Sequence, residues 1–95
     1  MQPSVNPPTV ITLDLGTVTT EREFLSVCGP PVGVTDGSVF DVAFAYEEAP
    51  PPLILTIVGF DRFAKAMPVL ARYVESTLRD MMDRRRAEGI EVRYV

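Results

Sequence analysis

The sequence predicts a small α/β domain, and three observations predict it. Two β-branched, apolar runs, "VITLDL" (10–15) and "LILTIVGF" (53–60), read as strands. From residue 67 to 88, apolar residues recur every three or four positions, the spacing of an amphipathic helix. The chain then closes on an alternating run, "IEVRYV" (90–95), which reads as a last strand. Ninety-five residues hold one domain and one modest core.

Residues 1–9 carry three prolines and read as an extended lead-in, so the domain is expected over 10–95. Gly16 ends the first strand. Thr20 and Glu23 have capping-box spacing, which starts a short helix with Phe24, Leu25, Val27 and Cys28 on its apolar face. Gly29, Pro30 and Pro31 stop it. "VGVTDGS" (32–38) is a loop by composition, and Asp36 or Ser38 is placed to cap the next element.

The segment "VFDVAFAY" (39–46) reads two ways. Strand alternation puts Phe40, Val42, Phe44 and Tyr46 on one face, and the residue types favour a strand. A helix puts Val39, Val42, Ala43 and Tyr46 on one face, with Phe40 and Phe44 on another. Local physics leans to the strand. "EEAPPP" then connects to the run at 53–60, whose nearly unbroken apolarity suits a central strand covered on both faces. Asp61 is placed to cap a short helix, and Pro68 fits the first turn of the long one.

In the long helix, Met67, Leu70, Ala71, Val74, Leu78, Met81 and Met82 form the apolar stripe. Glu75 with Arg79, and Asp80 with Arg84, are spaced to pair. "RRR" (84–86) matches the negative end of the helix dipole, and Gly89 stops the helix. The core is expected to include Ile11, Leu13, Leu53, Leu55, Ile57, Leu70, Val74, Leu78, Val92 and Tyr94. A strand at 39–46 gives a ferredoxin-like β-α-β-β-α-β sandwich, and with it the alternative role of a structural or regulatory interaction module that self-associates. A helix there gives a small parallel sheet of three strands packed by helices.

The net charge is -4, which repels phosphate backbones and anionic membranes and suits a basic protein as partner. The chain has one cysteine and no histidine, so neither an intramolecular disulfide nor a Cys/His metal site is available. Its start lacks the basic and apolar regions of a signal peptide, and its apolar runs are too short to cross a bilayer, so a cytoplasmic protein is expected. Nucleophilic catalysis lacks its usual base, and Lys65, the single lysine, has no phosphate-loop glycines around it. A non-catalytic protein without metal or cofactor is expected, binding neither nucleic acid nor membrane. The remaining signal is a group of acids, Asp36, Asp41, Glu47 and Glu48, set among aromatics beside a proline-glycine loop. Such a mixture suits a patch for a basic protein.

The second half, "PPLILTIVGFDRFAKAMPVLARYVESTLRDMMDRRRAEGIEVRYV" (51–95), resembles the barstar family of small acidic ribonuclease inhibitors. A proline-led apolar strand, an aspartate-phenylalanine short helix, a long amphipathic helix, a glycine and a final strand come in that family's order. "PPVG" followed by "SVFDVAFAY" agrees in outline. The resemblance implies a three-stranded parallel sheet packed by helices, with 38–46 helical. It implies that this helix and the loop before it, Val32 to Gly37, plug a nuclease active site with acids in place of substrate phosphates. It makes a ribonuclease-type toxin the partner and an inhibitor or immunity protein the role. By position, Asp41 matches the acid near the middle of that helix. Val34, Asp36, Asp41, Tyr46, Glu47 and Glu48 are the expected contact residues. The sequence departs from the family around "PPVG", where prolines and valines replace aromatics, and at "TDGS", which stands for an asparagine-aspartate helix opening.

Overall fold

The computed structural model describes residues 7–95. Three parallel strands, β1 (Thr9–Asp14), β2 (Leu53–Val58) and β3 (Ile90–Tyr94), form one sheet in the order β1-β2-β3. Four helices connect them: α1 (Glu21–Cys28), α2 (Val39–Glu47), α3 (Phe60–Ala66) and α4 (Pro68–Arg85). Short 3-10 turns at Pro30–Val32 and Arg86–Glu88 come after α1 and α4. The lead-in expected over 1–9 falls mostly outside the described residues, and Thr9 already begins β1.

The register sorts the sheet into two faces. Thr9, Ile11 and Leu13 align with Leu53, Leu55 and Ile57, and these with Ile90, Val92 and Tyr94. Leu13, the three β2 residues, Ile90 and Val92 are buried, and buried residues from all four helices join them in one core. The other face carries Val10, Thr12, Ile54, Thr56, Val58, Glu91 and Arg93, none of them buried. Val10 is 62% exposed. The expectation that β2 is covered on both faces is therefore corrected: among the described residues, the helices cover one face only. Thr12 and Thr56 sit at the centre of the open face, with Glu91 paired to Arg93 at its β3 side.

Of the expected core, Leu13, Leu53, Leu55, Ile57, Leu78 and Val92 are buried. Ile11, Leu70 and Val74 are half-buried against it. Tyr94 is the exception. It stands at the end of β3, partly exposed, with Phe60 edge-on at 5.2 Å. Phe63, one turn further along α3, is fully buried and stacks on Phe24 of α1 at 5.7 Å.

Residues 39–47 are helical, so the strand reading and the ferredoxin-like sandwich are both overturned. Two effects outweigh β-propensity. The Ser38 hydroxyl accepts from the Asp41 amide, and the Asp41 carboxylate accepts from the Ser38 amide, a reciprocal capping box. Val39, Val42 and Tyr46 then fall on one side and enter the core together, which a strand alternation does not allow. Elsewhere the caps are close to expectation. Thr20 caps α1, and the Glu23 carboxylate accepts from Thr19 and from the Thr20 hydroxyl. The cap of α3 is Gly59 rather than Asp61. Gly59 has φ 72°, and a Cβ there would lie 2.5 Å from the Gly16 Cα, so the ends of β1 and β2 meet only because both turns carry glycine.

Candidate protein-binding surface

The loop before α2 is held from behind by α1. Gly29 closes α1 by donating to the Leu25 carbonyl, and Val34 donates to the Gly29 carbonyl at 3.0 Å. A Cβ on Gly29 would sit 2.2 Å from the Val34 oxygen, so this return of the chain needs glycine. Val34 is half-buried against the core, whereas Asp36 is exposed at the tip.

Asp41 is exposed but engaged. Its Oδ2 accepts from the Ser38 amide at 2.7 Å and from the Ser38 hydroxyl at 3.1 Å. These bonds, the backbone one first, hold its carboxyl below the usual aspartate range. Asp41 is the third residue of α2, in its first turn, not near the middle as the resemblance implied. Tyr46 points inward. It is 5% exposed, and its hydroxyl donates to the Cys28 carbonyl at 2.6 Å. Burial, with Cys28 beside it, raises its pKa above the ordinary tyrosine value. Tyr46 thus ties α2 to α1 and is not on the surface with the acids.

The far end of α2 is gripped by α4. Glu47 meets Arg84 at 3.4 Å. Arg85, largely buried, donates to the backbone carbonyls of Glu47 and Ala49 and pairs with Glu88. Two of the three arginines in "RRR" therefore serve the α2 C-terminus, whose carbonyls would otherwise lack partners. Asp80 does not pair with Arg84 through its carboxylate. The Arg84 guanidinium instead reaches the Asp80 backbone carbonyl. Glu48 is exposed.

Of the six expected contact residues, Asp36, Asp41 and Glu48 are exposed, Asp41 and Glu48 seven apart along α2 and Asp36 lining a hollow with Arg22 and Ser26 of α1, while Glu47 is partly engaged and Val34 and Tyr46 turn toward the core. The larger feature of the α2 surface is absent from the expected set. Phe40 and Phe44 lie four residues apart on the outer side of α2 and are 71% and 63% exposed. Phe40 meets Tyr73 of α4 edge-on at 5.6 Å. Beside it a shallow apolar groove runs over Met67, Pro68, Val69 and Leu70 at the start of α4. The signal for this stripe is the helical projection of 39–46, which separates the two phenylalanines from the core-facing residues.

Buried chemistry is sparse. Burial pushes the Cys28 thiol up to about 12, so it is no nucleophile at neutral pH. A cavity of about 40 Å³ lies under α2, lined only by non-ionising groups apart from Cys28 and the tyrosines. Among the described residues there is no group of three or more His, Cys, Asp or Glu placed to hold a metal. Among them, too, no helix is long and apolar enough to cross a membrane. Comparisons with protein-family models, with curated proteins and with solved structures found no match for this chain.

Proposed function

We propose that this protein is a non-catalytic binding protein for a basic partner, and that its role is to inhibit a ribonuclease-type toxin. One observation carries the reading. The outer face of α2 carries the exposed Phe40 and Phe44 beside the exposed acids Asp41 and Glu48, and the loop before it exposes Asp36. Large exposed apolar side chains grouped in this way mark interaction sites. Their acidic surround suits a cationic cleft and would steer it into contact. The parallel β1-β2-β3 sheet and the helix at 39–47 agree with what the barstar resemblance implied.

The test is titration of the protein into small basic ribonucleases while RNA cleavage is monitored. Stoichiometric loss of cleavage, weaker as salt rises, is the expected result. A variant with Asp36, Asp41, Glu47 and Glu48 all changed to their amides should inhibit less. Equal inhibition by that variant would remove the acids from the site, and no inhibition of any such nuclease would remove the role.

A further inference from the structure

α2 is fastened to α4 at both of its ends. At its start, Phe40 meets Tyr73 edge-on at 5.6 Å. At its end, Arg85 holds the Glu47 and Ala49 carbonyls, and Arg84 meets the Glu47 carboxylate at 3.4 Å. Between these ties the seam is lined by short side chains, Ala43 on α2 and Thr77 on α4, both half-buried. Long side chains set the spacing at the ends and short ones stand in the middle, so the seam does not close. The space left beneath it is the void of about 40 Å³, with Leu55 and Ile57 of β2 and Phe24 and Cys28 of α1 on its other walls.

The lining selects what enters. No polar atom is open to the void. The Tyr46 hydroxyl, on one of the lining residues, is already bonded to the Cys28 carbonyl at 2.6 Å. Among the described residues, no buried side-chain nitrogen or oxygen lacks a partner. A buried water needs room and about two to four polar partners. The room is here and the partners are not, so the void is dry. An apolar cavity of roughly 150 Å³ takes benzene, and this one has about a quarter of that volume.

We propose that the void is a binding site for a small apolar guest, of the size of a dissolved gas molecule and not of an aromatic ring. The rings of Phe24 and Tyr73 and the Cys28 sulfur make its walls polarisable, which adds dispersion attraction for such a guest. The half-buried Ala43, Val74 and Thr77 mark the side on which it opens. Affinity is low, because so small a guest buries little surface. Its effect falls on α2, which gains packing in the middle of its span. The site lies on the inner side of α2 and does not depend on the partner surface proposed for the outer side.

Xenon is the probe. Methyl and amide spectra of the protein are recorded as xenon pressure rises, with helium at equal pressure as the control. Shifts under xenon alone are expected at the methyls of Val42, Ala43, Leu55 and Leu78, with amide exchange slowed in α2 more than in β1. Ala43→Leu puts its added carbons into the void and should abolish these shifts while the dichroism stays native. Val74→Ala removes bulk from the same wall and should enlarge the response to a given pressure, so the test stands even where the filled variant does not fold. Absence of xenon-specific shifts at these methyls overturns the proposal. So do equal shifts under helium, shifts confined to the exposed groove at Met67–Leu70, shifts that persist in a folded Ala43→Leu, or a response to xenon that Val74→Ala leaves unchanged.

Discussion

Asp41 carries two demands at once. It is an exposed acid in the edge proposed for the partner, and it closes the N-terminus of the helix that forms that edge. Its carboxyl is held below the usual range chiefly by the Ser38 amide. A carboxyl depressed in the folded state adds stability above its unfolded value, and that stability is lost as pH falls through the folded value. The start of α2 should therefore stay ordered through mild acid and loosen only below the ordinary aspartate range. The Ser38 amide resonance, tracked against pH, should move with a midpoint under that of a free aspartate, and Asp41→Asn should abolish the movement. An ordinary midpoint would mean that the capping box is not formed in solution. Position 41 is legible as an acid on an exposed segment. Its use as a cap is not, because that needs the helix, and the helix is the reading local physics disfavours.

At the scale of elements, α2 shows where sequence reasoning succeeds and where it stops. β1, β2, β3 and α4 are legible because each has a strong single period or a long apolar run. α2 has only nine residues, rich in valine and phenylalanine, and its alternation is as good as its helical periodicity. Beyond the local capping box, what holds it lies far away in the chain: Tyr46 reaching Cys28, and Arg85 reaching the carbonyls of Glu47 and Ala49. No local pattern contains those partners. "RRR" has the charge that suits the end of α4, yet Arg85 acts on another helix. Arg85→Met keeps the apolar stem and removes the donors, leaving two part-buried carbonyls unpaired. The expected cost is about 1–3 kcal/mol in denaturant unfolding, with amide exchange quickened in α2 more than in β2. Arg84→Ala breaks a solvent-exposed pair with Glu47 and an exposed bond to the Asp80 carbonyl and should cost under about 1 kcal/mol. Equal costs would show that Arg85 does not hold α2.

At the scale of the whole molecule, the two layers give the protein two different surfaces. The open face of the sheet is mixed, with threonines at its centre and the Glu91–Arg93 pair at its side. This face is not legible in the sequence, since Ile54 and Val58 in an apolar run read as buried on both sides. The helical side carries the exposed phenylalanines and the acids, and it ends in a loop that glycine folds back onto α1. The partner site proposed above lies on this side and not on the sheet. Hydrogen-exchange footprinting of the protein with and without a bound basic ribonuclease tests this most directly. Slowed exchange confined to residues 32–48 and the start of α4, with the strands unchanged, is the expected result. Slowed exchange on β1 and β3 without any change in α2, or no complex with any basic ribonuclease, would contradict it.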